Sequence, residues 1–141
     1  MNELRAKLVE IVLAWEKAYG NAPAITSALS EYDAAILVGL SSEQYSAGMQ
    51  GATAVQKGYD FSFLGKRYQV KATRPSGKRG SFVTRVPKAA NYEWDFLIWI
   101  NYNSAYEMQE AWKWDVSGYS SAFDKIVRLS PANYRGGTKL F

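Results

Sequence analysis

The stretch GYDFSFLGKRYQVKAT, residues 58–73, decides how the rest of the chain is read. Aromatic and β-branched residues alternate with polar ones on both sides of Leu64-Gly65, which is the pattern of a β-hairpin over Tyr59–Thr73. In its second arm Gln69 and Lys71 point to one face, while Tyr68, Val70 and Ala72 point to the other, because side-chain direction repeats every two residues. If Leu64-Gly65 is a two-residue turn, the ladder pairs Phe63 with Lys66 and, three steps further, Asp60 with Gln69, about 5 Å apart at Cβ. A three-residue turn sets Asp60 opposite Val70 instead. The register therefore decides whether an aspartate and an amide can share one cation.

Toward the N-terminus, Leu4, Leu8, Ile11, Val12, Trp15 and Tyr19 recur at three- and four-residue steps, which predicts a helix from about Asn2 to Tyr19 with this stripe against the core, ended by Gly20-Asn21. A second helix begins near Thr26 or Ser30 and runs through SEYDAAILVGL, with Glu31 near its start. Ser41–Gln56 is small and polar and reads equally as a short helix or an ordered loop. After the hairpin, RPSGKRGS (Arg74–Ser81) is a basic Pro/Gly-rich loop, and SFVTRV that follows is expected to form a short strand. The run Trp94–Ile100 is apolar on both faces and suits a central strand covered from both sides. Tyr106, Met108, Trp112, Trp114 and Val116 share one parity, predicting a strand with a single buried face. Ser120–Leu129 reads as a helix and PANYRGGTKLF as a coil-like tail. This order predicts one α/β domain over residues 1–141, an α/β/α sandwich around a central mixed sheet.

Composition narrows the chemistry. The chain has 141 residues, 48% of them hydrophobic, with no cysteine and no histidine. Thiolate and imidazole zinc sites, disulfides and histidine bases are thereby excluded, leaving carboxylates, amides, lysine and arginine. A metal held by such groups is a hard cation, Mg²⁺ or Mn²⁺. The first twenty residues mix charges into their apolar positions, unlike a signal peptide or membrane span, so a soluble cytoplasmic protein is expected. The net charge is +4, yet Lys57–Lys88 holds nine bases against the single acid Asp60, or 9 − 1 = +8, and the remainder carries −4. Such asymmetry is the footprint of a polyanion partner. SGKRGS lacks the full G-x-x-x-x-G-K-[ST] pattern, which argues against a nucleotide triphosphatase. The five tryptophans and ten tyrosines fall mostly at core positions of the expected strands.

The series Glu31 on a helix, GYDF with Asp60, a turn, then YQVKATR with Gln69 and Lys71 resembles the PD-(D/E)XK nuclease superfamily, in the variant where QxK replaces (D/E)xK, as in Mrr-like restriction enzymes. By motif the resemblance spans about Thr26 to Arg74. It implies a restriction-endonuclease-like fold and a Mg²⁺-dependent (or Mn²⁺-dependent) DNA endonuclease, a hydrolase of phosphodiester bonds in a restriction, phage-defence or mobile-element setting. Carried over, Asp60 is the principal metal ligand, Gln69 a neutral ligand and Glu31 a direct or water-mediated one. The Val70 carbonyl completes the shell, and Lys71 positions the water and stabilises the transition state. Tyr59 stands where the nominal motif has proline, and Gln69 removes one negative charge from the site.

Each residue also has a plainer role: Asp60 as a turn residue, Glu31 as a first-turn acid, with Asp33 as a competing candidate two positions on. Arg74, Lys78, Arg79, Arg85 and Lys88 are expected to hold the nucleic-acid backbone. At this size there is little room for a separate recognition domain, so either a homodimer or a targeting partner protein is expected. The alternative function is a catalytically silent nucleic-acid-binding or assembly module that keeps the nuclease fold.

Overall fold

In the computed structural model, which describes residues 2–51 and 58–141, the hairpin closes with the two-residue turn. Leu64 and Gly65 both take positive φ, 51° and 77°, the geometry whose twist suits a tight hairpin. Strand β1 (Phe61–Phe63) thereby pairs with β2 (Lys66–Thr73) in the register Phe61–Tyr68, Ser62–Arg67, Phe63–Lys66. Strands β3 (Phe96–Tyr102), β4 (Met108–Asp115) and β5 (Thr138–Lys139) complete a five-stranded sheet in sequence order. Only β2 and β3 run parallel, so the sheet is mixed, as expected.

Strand β3 is the doubly covered centre: Leu97, Ile98, Trp99 and Ile100 are wholly buried. Ile98 and Ile100 face a core with Val12, Leu29, Ala34, Ala35, Phe61, Tyr68 and Val70. Leu97 and Trp99 face a second core with Trp94, Tyr119, Phe123 and Tyr134. Helices α1 (Glu3–Tyr19) and α2 (Thr26–Val38) thus cover one face, and α4 (Val116–Phe123) the other.

Several expected elements differ. Ser42–Gly51 is a helix, α3, started by a reciprocal cap in which Ser41 Oγ accepts the Gln44 N–H and Gln44 Oε1 accepts the Ser41 N–H. Residues 52–56 of that segment, and Lys57 of the basic run, lie outside the described residues. SFVTRV is not a strand: only Val86 makes a bridge, to Leu129, because β2 and β4 occupy both edges of β3. The expected single parity of β4 is broken where the register shifts beside Asn101 and Tyr102. The irregularity sends Met108 to the first core and Trp112 and Trp114 to the second. Helix α4 begins earlier than expected because Asp115 accepts the Gly118 N–H at 2.6 Å and caps it there. The tail is not coil: Ser130 and Asn133 cap the short helix α5 (Pro131–Tyr134), and Thr138–Lys139 pair with Lys113 and Trp112.

The largest correction concerns α1. Its helical span and ends match expectation, with Asn2 as N-cap and Gly20 in the left-handed region. Yet of its apolar stripe only Val12 is buried, while Leu4, Leu8, Ile11, Trp15 and Tyr19 are 75%, 37%, 65%, 52% and 69% exposed. Polar bonds rotate the helix away from that stripe: Arg5 pairs with Asp33 and Glu16 with Arg74. Among the described residues no helix is long and apolar enough to cross a membrane.

Candidate active site at the edge of strand β2

Strand β1 begins only at Phe61, so β2 loses its ladder partner beyond Tyr68. Asp60 fills the gap differently from the simple ladder. Its N–H donates to the Tyr68 carbonyl at 2.8 Å rather than leaving Asp60 opposite Gln69. Its Oδ2 accepts the Val70 N–H at 2.7 Å. The two-residue turn is therefore present, but the expected Asp60–Gln69 cross-strand pair gives way to a side chain bonded onto the strand's exposed backbone.

Helix α2 brings Glu31 to the same place. Leu29, Ala34 and Ala35 seat this helix in the first core, which leaves Glu31 half-buried beside Asp60. Its carboxyl is pushed up to about 7, first by burial and then by the charge of Asp60 and a hydrogen bond to it. Two carboxylates thus confront each other where water screens them poorly. Tyr45 of α3 stands with them. Its hydroxyl is pushed up to about 12 by burial and by the charges of Glu31 and Asp60. Sequence reasoning missed Tyr45 because α3 has little apolar periodicity; its only local signal is the S-x-x-Q cap that starts the helix.

Gln69 and Lys71 share a face, as alternation requires, but it is the face opposite α2. They pair in the parallel ladder with Leu97 and Trp99, both members of the second core. They flank Val70, the residue on which Asp60 is anchored. Among the described residues neither side chain forms a hydrogen bond or an ion pair. The structure therefore gathers Glu31, Asp60 and Tyr45 at the strand edge and places Gln69 and Lys71 on either side of that anchor.

Asp33, the competing acid, is committed elsewhere. It is buried, receives Arg5 Nε at 2.7 Å and Nη2 at 2.8 Å, and also accepts from the Tyr102 hydroxyl. The basic residues divide as well. Arg74 is turned inward: it forks onto Glu16 at 2.9 and 3.1 Å, donates to the Ser104 carbonyl and lies 4.2 Å over the Tyr106 ring. The Lys88 ammonium donates to the carbonyls of Asp124 and Ile126, 2.9 Å each, at the end of α4. Lys78, Arg79 and Arg85 are exposed. The Val86–Leu129 bridge adds Arg128, which lines a shallow cleft with Arg85 and Lys88. That neighbour is invisible in sequence because it arrives from beyond α4.

As a donor set, the two carboxylates are hard oxygen ligands that suit Mg²⁺ or Mn²⁺, whereas the Gln69 amide lies on the face of β2 away from Glu31. A cation between Glu31 and Asp60 would relieve their repulsion. Among the described residues no group of three or more acids, histidines or cysteines converges, so such an ion would rest on this pair with neutral oxygens. No family model matches the chain, and no curated protein matches it in sequence.

Proposed function

We propose that the chain is a divalent-metal-dependent endonuclease that hydrolyses phosphodiester bonds in DNA, in the manner of the PD-(D/E)XK enzymes it resembles in sequence. The observation that carries this reading is the Glu31–Asp60 pair, two carboxylates from separate elements held together at a half-buried strand edge. A bound Mg²⁺ supplies polarisation of the phosphate and a more acidic water. Asp60, held on the Val70 N–H, and Glu31, held by α2, keep their oxygens in place for that ion without reorganisation. Gln69 flanks the Val70 anchor on the face of β2 opposite α2, so its side chain would have to reach round the open strand edge to add a neutral oxygen. Lys71, on that same far face, would likewise have to reach round the edge to bring positive charge to the developing oxyanion, while Lys78, Arg79, Arg85 and Arg128 hold flanking phosphates.

A second reading, a nucleic-acid-binding or assembly module that no longer cleaves, is favoured by one observation: the cluster holds only two acids, with neutral Gln69 where the more common motif has a third. The two readings separate when wild type, Asp60→Ala and Lys71→Ala proteins are incubated with plasmid, linear duplex and single-stranded DNA, and with RNA, in Mg²⁺, Mn²⁺ or EDTA. Metal-dependent cutting of DNA that both variants lose supports the enzyme. Salt-sensitive binding with no product on any substrate favours the module, and full cleavage by Lys71→Ala rejects the role given to that lysine.

A further inference from the structure

We infer that the exposed stripe of α1 is a self-association surface, on which a second copy of this chain lays its own α1 antiparallel to the first. The inference does not depend on the nuclease reading. Leu4, Leu8, Ile11 and Trp15 follow one another at steps of four, three and four residues, which is the seam spacing of paired helices. Yet this seam faces away from its own core, where Val9, Val12 and Leu13 point inward. A helix that needed only to cover its sheet would place polar residues there.

The pattern is self-complementary. In antiparallel pairing with a two-fold axis between Val9 and Glu10, Leu4 meets the second copy's Trp15 and Leu8 meets its Ile11. Symmetry repeats both layers, so four apolar layers form without a polar mismatch. If wholly covered, the exposed fractions of Leu4, Leu8, Ile11, Trp15 and Tyr19 amount to roughly 600 Å² per copy, so about 1,200 Å² is the most this stripe contributes to a symmetric pair, which just reaches the lower bound of a specific interface. An apolar groove of about 340 Å³ adjoins the seam and adds Ala28, Tyr32, Tyr45 and Met49. Tyr45 belongs also to the carboxylate site, so the two copies would meet beside their candidate active sites.

Sedimentation velocity on the purified chain over a wide concentration range tests the inference. The expected result is a dimer that Ile11→Lys or Leu4→Lys weakens on the order of a hundredfold, with unchanged circular dichroism and melting because both residues are exposed in the single chain. The absence of cysteine allows the pairing to be read directly. The double variant Leu4→Cys/Trp15→Cys should form a covalent dimer under mild oxidation, and neither single variant should. Within one helix these positions are about 16 Å apart, too far to bridge. A wild type that stays monomeric at hundreds of micromolar overturns the inference, as does a dimer unaffected by Ile11→Lys. Efficient crosslinking of Leu4→Cys alone overturns the antiparallel arrangement. None of these outcomes bears on cleavage, which is scored separately with DNA.

Discussion

The Asp60 carboxylate accepts the Val70 backbone N–H at 2.7 Å, so the acid that confronts Glu31 also closes the unpaired edge of β2. Replacing it therefore has two separable effects. Asp60→Asn keeps an acceptor for Val70 but removes the charge, and the Glu31 pKa should fall from about 7 toward its ordinary 4.5, stopping short because burial remains. Asp60→Ala also leaves the Val70 N–H without its partner, which should cost about 1–2 kcal/mol of stability. Carboxyl-carbon NMR titration of Glu31 and urea denaturation of the two variants check this. Equal Glu31 titrations in wild type and Asp60→Asn would show that the two carboxylates do not interact.

The raised Glu31 pKa gives the pH dependence a definite sign. Between the unfolded value near 4.5 and the folded value of about 7, the folded chain binds more protons than the unfolded one. This group's contribution to stability is therefore largest at low pH and declines as pH rises through that window. A divalent cation competes with the same proton. Thermal stabilisation by Mg²⁺ should be absent near pH 5.5, develop through pH 7 and be full by pH 8, with any metal-dependent cleavage following the same curve. Melting curves for wild type and Glu31→Gln test it, since the glutamine variant should lose both trends.

Asp33, two residues further along α2, should behave in the opposite way. Its carboxylate balances the Arg5 guanidinium inside the fold and accepts from the Tyr102 hydroxyl. Asp33→Asn leaves a partly buried cation without its counter-charge and should destabilise the protein by about 3–5 kcal/mol, while any response to Mg²⁺ persists in the folded fraction. Urea unfolding reads the first effect. A change below about 1 kcal/mol would mean that the Arg5 charge is satisfied by water instead.

Arg74 and Arg79 sit five residues apart in one basic loop but should divide cleanly. Arg74→Ala removes the fork onto Glu16 and the stack over Tyr106, so it should lower the melting temperature. It would also release Glu16, whose carboxyl is held below its ordinary range by the Arg74 hydrogen bond. Exposed Arg79→Ala should leave stability unchanged and reduce the slope of log affinity against log salt for DNA by about 1. Melting and fluorescence-anisotropy titrations at several salt concentrations decide between these roles.

Local pattern was sufficient for the elements whose signals are local. The two-residue turn at Leu64-Gly65, the buried run of β3, both ends of α1 and the α/β arrangement follow from alternation, helical spacing and the left-handed tolerance of Gly20 and Gly65, all readable within a few residues. The alternation also placed Gln69 and Lys71 on one face. The remaining outcomes depended on partners distant in sequence. Which side of α1 faces the core was settled by Asp33 and Arg74, because an ion pair held at both ends of a helix sets its rotation. Those bonds turned Leu4, Ile11 and Trp15 outward despite their hydrophobicity. Arg74 left the basic surface because Glu16, 58 residues away, met it. Glu31 and Asp60 became a strongly interacting pair only once α2 and the open edge of β2 were brought together. Residue type and spacing could nominate those carboxylates, whereas their separation and burial, and so their charge at neutral pH, are properties of the folded chain alone.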